Sequence, residues 1–344
     1  MRLLPSKREF TIADTGLDSV EKVALGGIEQ SILIQAEDPT KPILLFIHGG
    51  PCMPVPGVVS RGQDYAVATT TKELVKHFVL VFWDQRGSGK SFDKKVSPES
   101  MRVERFISDC NELIDILCKR FHQEKLFIAG HSWGTVIGLS IASRFPEKLY
   151  GYFGISQLLN WAENDRLCYE WVKIKAEKTN DKKTLSKLGL LGPPPYIKGV
   201  KQWIDFRQLL IIKHNSMIYE NESIKHPGVI SAFKLFLSSS DYSLKNIFHT
   251  FYSAYKLTYT QALITDFAEI NLDSIKRLDI PVFFLHGKKD MHVNGKPVEK
   301  FVENLDAPFG KEMVWYDNSS HMFHPEDARE IERFMISTAL KIIY

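Results

Sequence analysis

The chain has 344 residues, 44% hydrophobic and 25% charged, with a formal charge of +3, as expected of a globular protein with one large core or a core with an insertion. Its lysines and arginines form no block, which argues against nucleic acid as a partner, and no apolar run approaches the roughly 18 residues of a membrane span. The opening MRLLPSKREFTIADTG lacks the apolar centre of an export signal, so Cys52, Cys110, Cys118 and Cys168, which show neither CxxC nor metal spacing, are expected as free thiols in the cytoplasm.

In chain order, short apolar runs alternate with helical periodicity. KPILLFIHGG (41–50) and HFVLVFWDQRG (77–87) are unbroken apolar runs that each end in glycine, and EKLFIAGHS (124–132), LYGYFGIS (149–156) and IPVFFLHG (280–287) behave alike. Runs without polar alternation are what strands buried on both faces require, as in a parallel sheet. Between them, Val103, Phe106, Ile107, Cys110, Leu113, Ile114, Leu117 and Phe121 recur at helical spacing as one apolar stripe. The expected fold class is α/β, a mostly parallel, doubly wound sheet.

The alternation stops after residue 156. From 157 to 273 the chain is aromatic-rich and reads as helical, broken by LGLLGPPPYIKG (188–199), whose three prolines form a loop. The expected organisation is therefore a core of residues 1–156 and 274–344 carrying an inserted helical cap, 157–273, over the carboxyl edge of the sheet.

Gly130-His131-Ser132-Trp133-Gly134 fits the G-x-S-x-G elbow, in which a strand turns sharply into a helix and presents its serine. Here a buried strand (KLFIA) precedes the motif, and an apolar helix carrying Val136, Ile137, Leu139 and Ala142 follows it until Pro146. A serine hydroxyl needs a base and an orienting acid to act as a nucleophile, and in folds with this elbow the order is serine, acid, histidine. His321 follows the strand-like MVWYDNSS, and Asp290 lies just beyond the run PVFFLHGKK; Asp317 is the alternative acid. An oxyanion needs two backbone N–H donors. Those of Trp133 and of Gly50, in HGGPC (48–52), are the candidates, with Gly49 next.

Together HGGP (48–51), DQRGSGKS (84–91) and GHSWGT (130–135) resemble the prolyl aminopeptidase (proline iminopeptidase) group of the α/β-hydrolase superfamily. The resemblance covers 40–156 and 278–344. It implies an α/β-hydrolase fold with a helical cap, an acyl-enzyme mechanism, Ser132, Asp290 and His321 as nucleophile, acid and base, and Gly50 and Trp133 as the oxyanion hole. It also implies that Asp84, Arg86 and Gly87 form a charged brace around the elbow. The sequence departs from the group at Cys52, where HGGPG is usual, and at His131, where GGSWG is usual; Cys52 is expected to be a packing cysteine.

An aminopeptidase must bind a free α-ammonium, which calls for carboxylates. Glu163, Asp165, Glu170, Glu220, Glu222, Asp266 and Glu269 are available, and Glu163 and Glu170, seven apart on one helix face, are the candidates, although Asn160 followed by Glu163 is also a capping box. Trp161, Trp171, Tyr196, Trp203, Phe206 and Phe233 give the cap an apolar underside. The expectation is a serine hydrolase releasing an amino-terminal residue from short peptides, with no cofactor and no metal. A carboxylesterase or amidase using the same triad is the alternative; a ligand-binding protein without turnover is a third reading. Epoxide hydrolases and haloalkane dehalogenases of this fold use an aspartate nucleophile, which Ser132 does not match.

Overall fold

The computed structural model describes residues 8–344, with the side chains of 229–232 left aside. Residues 1–7, part of the stretch read for an export signal, lie outside the described residues. The first element is one that apolar-run reading misses. β1 (Leu17–Leu25) and β2 (Ile28–Ala36) form an antiparallel hairpin, joined by Gly26 and Gly27 at φ 54° and 78°. Both φ values are positive, the backbone that a tight hairpin turn demands and glycine supplies.

The anticipated runs follow as β3 (Ile43–Ile47), β4 (Val79–Asp84), β5 (Leu126–His131), β6 (Leu149–Ile155) and β7 (Val282–Gly287), with β8 (Lys311–Tyr316) after them. They join one sheet in the order β1-β2-β4-β3-β5-β6-β7-β8. β2 pairs antiparallel with β4, and every pair from β4 to β8 is parallel. Side chains alternate between two cores, one on each face: Ile43, Leu45 and Ile47 enter the first, Leu44 and Phe46 the second. The first core includes the helices Val103–Phe121 and Trp133–Arg144, and the second the helix Pro325–Ile343. The sheet is thus α/β and doubly wound, with helices on both faces.

Between β6 and β7 the regular elements described are helices, among them Trp161–Lys178, Lys182–Leu191, Val200–Gln208, Gly228–Ser238 and Gln261–Glu269. The proline run lies between the second and third of these. Among the described residues no helix is long and apolar enough to cross a membrane.

Strand register determines what meets at the carboxyl edge. His131 pairs with Ile155, Ile155 with Leu285, and Gly287 with Tyr316. The first residues beyond β5, β6, β7 and β8 therefore lie side by side, and they lead to Ser132, Ser156, Asp290 and His321.

Candidate active site

Ser132 sits at φ 54° and ψ −120°, between β5 and the helix Trp133–Arg144. A positive φ is strained for any residue with a Cβ. It is held because Ser132 N–H donates to Ile155 O on the neighbouring strand (3.0 Å), while Thr135 N–H donates back to Ser132 O (2.9 Å). The two flanking glycines answer to close backbone packing. A Cβ on Gly130 would lie 2.6 Å from Gly134 O, and one on Gly134 would lie 2.1 Å from Ile47 O.

The hydroxyl turned outward by this elbow has its Oγ 2.9 Å from His321 Nε2, and His321 Nδ1 lies 2.9 Å from Asp290 Oδ2. Ser132, Asp290 and His321 are thus brought into one line. Asp290 is buried, yet every oxygen lone-pair direction is used. Its Oδ1 accepts from the N–H groups of His292 (2.9 Å) and Val293 (2.8 Å), and its Oδ2 also accepts from Ser156 Oγ (2.8 Å). Burial would raise its pKa, but attraction and hydrogen bonding to His321 outweigh it and hold the carboxyl below the usual carboxylate range. The alternative acid Asp317 stands at the surface, paired with Lys288 at 2.5 Å. His324 caps the last helix.

Two further imidazoles flank His321. The ring of His131 lies 4.9 Å away and that of His292 4.6 Å away, centroid to centroid. His131 Nε2 is 3.1 Å from His321 O; a carbonyl only accepts, so this nitrogen carries the hydrogen. Burial first, and repulsion from His321 second, push His131 down to about 3, so it stays neutral and pins the loop that bears His321. His292 is held well below the ordinary histidine value, again chiefly by burial.

Gly50 and Trp133 both line, with Ser132, a cavity of about 120 Å³. Gly50 has φ +119°, and a Cβ there would come within 2.6 Å of Met53 N, so only glycine fits. Gly49 approaches so closely that its Cβ would lie 3.1 Å from the Ser132 Cβ. Gln85 ties these parts together: its side chain donates to His48 O (2.8 Å) and accepts from Trp133 Nε1 (2.9 Å). Cys52 is buried nearby, and burial pushes its thiol up to about 12, which keeps it protonated at neutral pH.

Two expectations need correction. Asp84 and Arg86 do not pair with each other. Asp84 accepts from Tyr242 Oη (2.6 Å) and from the N–H groups of Val58 and Lys90 (both 2.8 Å), whereas Arg86 pairs with Asp109 (2.8 Å). The brace is real but consists of two separate buried carboxylates. Nor does the structure bring Glu163 or Glu170 to the cavity. Glu163 pairs with Arg166 on the outer face of its helix (2.7 Å), and Asn160 Oδ1 accepts its N–H (3.0 Å), the capping arrangement. The inner face carries Trp161, Asn164, Asp165 and Cys168 instead.

The cavity is walled by Trp161, Trp203, Tyr255 and Tyr259 from the helices of 157–273, with Asn164, Arg207 and His292 among its other polar side chains besides Ser132; among the described residues no aspartate or glutamate lines it. Sequence reading missed Asn164, Arg207, His292 and Tyr259. The first has a signal, since Asn164 follows Trp161 by three and belongs to the same face. For the other three, only the packed fold supplies the juxtaposition.

This strand order, elbow and three-residue line settle the fold. The chain has the α/β-hydrolase fold, in a form similar to the prolyl aminopeptidase group. Residues 52–191 match the family of serine aminopeptidases, S33. A probable aminopeptidase, YbaC, of Bacillus subtilis is 28% identical over 327 residues, covering 94% of this chain and 95% of that protein. A proline iminopeptidase-related protein from Thermus thermophilus superposes with a TM-score of 0.63 at 17% identity, covering 94% of this chain and 98% of that one. Epoxide hydrolase 4 of mouse is 28% identical over a shorter stretch, 34% of this chain and 28% of its own length. The chain thus has the α/β-hydrolase fold and aminopeptidase-like relatives.

Proposed function

We propose that this α/β-hydrolase is a serine hydrolase that cleaves a small amide or ester through an acyl-enzyme. The observation that carries the reading is the line of two 2.9 Å contacts from Ser132 Oγ through His321 to Asp290, at the wall of a cavity. His321 Nε2 accepts the Ser132 proton as Oγ attacks the scissile carbonyl carbon. Asp290 stabilises the resulting imidazolium through the Nδ1–H, and the N–H groups of Gly50 and Trp133 receive the oxyanion. The same imidazolium then protonates the departing amine or alcohol. Water, deprotonated by His321, hydrolyses the acyl-serine and restores the hydroxyl. The helices of 157–273 act as a cap that shapes the acyl site, and the protein works in the cytoplasm.

Two acyl donors compete. The whole-length similarity to a probable aminopeptidase favours an amino-terminal residue, proline or another, of a short peptide. The cavity lining favours an acyl group without a free ammonium, because among the described residues no carboxylate faces it and Arg207 does. We take the second as the better supported, an amidase or carboxylesterase on small acyl groups. Ser132→Ala is expected to lower turnover at least about a thousandfold while leaving the fold intact. A panel of aminoacyl arylamides, their N-blocked forms and simple esters separates the two donors. Turnover that requires a free amine would return the aminopeptidase, and a Ser132 that does not label with a fluorophosphonate would overturn both.

A further inference from the structure

The charge built into the acyl cavity is positive. Arg207, on the helix Val200–Gln208, lines the cavity with a side chain only 8% exposed. Its Nη2 donates to Asp165 Oδ1, and Asp165, itself buried, stands outside the lining. The guanidinium carbon lies 5.3 Å from the centre of the Trp161 ring and 5.2 Å from that of Trp203, both of which wall the cavity. Among the described residues its buried Nε meets no hydrogen-bond partner. A guanidinium has five N–H donors in a flat fork, and the contact with Asp165 engages Nη2. The pair thus presents its cationic end to the cavity and its anionic end to the helices behind. The other ionisable groups facing the space include His292, kept neutral by burial, and His321 stands at the serine.

Resting on the serine-hydrolase reading above, we propose that Arg207 is a specificity-determining residue for a carboxylate, so that the acyl donor is a short chain ending in –COO⁻. An ammonium brought into this space would lose its water against a like charge. A carboxylate would gain a charge-assisted partner with spare donors. Ser132 and Arg207 line the same cavity of about 120 Å³, which suits a short chain between the scissile carbonyl and the fork. Neutral acyl groups of the same length fill the space but offer no second acceptor to the guanidinium donors that Asp165 does not engage.

The experiment compares glutaryl, pentanoyl and γ-aminobutyryl anilides, of similar size but bearing a negative, no and a positive charge. Binding is read on Ser132→Ala by the fluorescence of the two cavity tryptophans, and hydrolysis on the unaltered enzyme. The glutaryl compound is expected to bind at least about tenfold more tightly than the pentanoyl one, and the γ-aminobutyryl one least. Arg207→Lys keeps the charge but not the fork, and is expected to retain part of the preference. Arg207→Gln combined with Asp165→Asn removes both buried charges together, so neither is stranded, and is expected to bring the preference to about one. Equal or better binding of the pentanoyl or γ-aminobutyryl compound would overturn the proposal, as would a preference that survives the double variant. Because binding is read without turnover, this failure is distinct from that of Ser132 to label, which concerns the serine-hydrolase reading itself.

Discussion

The hydroxyl of Tyr259 donates to the carbonyl of Gly50 across 2.7 Å, so the inserted helices hold the loop that carries one of the two proposed oxyanion donors. Tyr259 is buried, its ring centre 4.8 Å from that of Trp203 and tilted against it in the cavity wall. Tyr259→Phe keeps the ring and removes one hydrogen bond, a net loss of about 1 kcal/mol. We expect kcat to fall about tenfold with KM nearly unchanged, because the loosened donor acts on the transition state rather than on bound substrate. The rate of fluorophosphonate labelling, which also builds charge on that oxygen, should fall in step. A Tyr259→Phe enzyme with raised KM and unchanged kcat would make Tyr259 a packing residue only.

Ser132 carries a conformational cost that a second variant exposes. At φ 54° and ψ −120° a Cβ is strained, and glycine is not. Ser132→Gly is therefore expected to be about 1 kcal/mol more stable to urea than Ser132→Ala, although both lack the nucleophile. Equal midpoints would mean that the neighbouring strand, through Ile155 O, imposes no strain on this turn.

Much of this fold was legible because burial writes itself into apolar runs. The parallel strands are buried on both faces, so Ile43–Ile47 and Val79–Asp84 show no polar gaps, whereas β1 is half exposed and bordered by charged residues and escapes the same reading. Ser132, Asp290 and His321 were readable because each follows a strand of the same edge. The cap was not. Its helices pack by aromatic contacts such as Trp161 on Phe267, 3.9 Å between centres, which fix no position relative to the serine from sequence alone. Glu163 and Glu170 do share a helix face, but periodicity gives the face without saying which way it turns.

Buried neutral histidines predict how stability responds to acid. Burial holds His48 down to about 4 and His131 to about 3, while an unfolded histidine titrates near pH 6.5. Between these limits the unfolded chain binds more protons, so stability rises with pH and falls as the solution is acidified below about 6.5. Those two groups alone contribute a slope of about 2.5 kcal/mol per pH unit near pH 5. His286 and His292, lowered likewise by burial, add to it, whereas Asp84 and Asp165, pushed up to about 6 by burial, hold protons in the fold and oppose it. Asp290, depressed in the folded state, adds a further loss only below about pH 4, where its unfolded counterpart protonates. Urea midpoints taken from pH 7 down to 5 test this, and a midpoint that rises on acidification would show that the two buried carboxyls, not the imidazoles, set the sign.

Arg86 and Asp109 are almost wholly buried and bound at 2.8 Å, and Asp109 also accepts from Gln30 Nε2 at 2.7 Å. Arg86→Met strands part of that buried charge and is expected to cost about 3 kcal/mol or more. The pair lies away from the cavity lining, so kcat of the folded fraction should stay within about twofold. Thermal unfolding alongside active-site titration separates the two effects. A large fall in kcat per labelled serine would move this segment from bracing to chemistry.

Neighbouring positions on one helix offer the sharpest contrast. Glu163 is exposed and paired with Arg166, and such surface pairs contribute about 0–1 kcal/mol. Glu163→Gln should therefore leave stability nearly unchanged and KM for any aminoacyl arylamide within about twofold. Asn164, one residue on, faces the cavity, donates to His292 O (2.9 Å) and accepts from Asn294 N–H (2.9 Å), and so fastens the loop that carries Asp290. Asn164→Ala leaves the Asn294 N–H without its partner and His292 O with only the weak Cys168 thiol donor (3.4 Å), and kcat/KM is expected to fall about tenfold or more as His321 loses its fixed partner. Should Glu163→Gln be the variant that loses affinity, and only for substrates with a free amine, the helix would turn its outer face to the substrate and the aminopeptidase reading would displace the one preferred above.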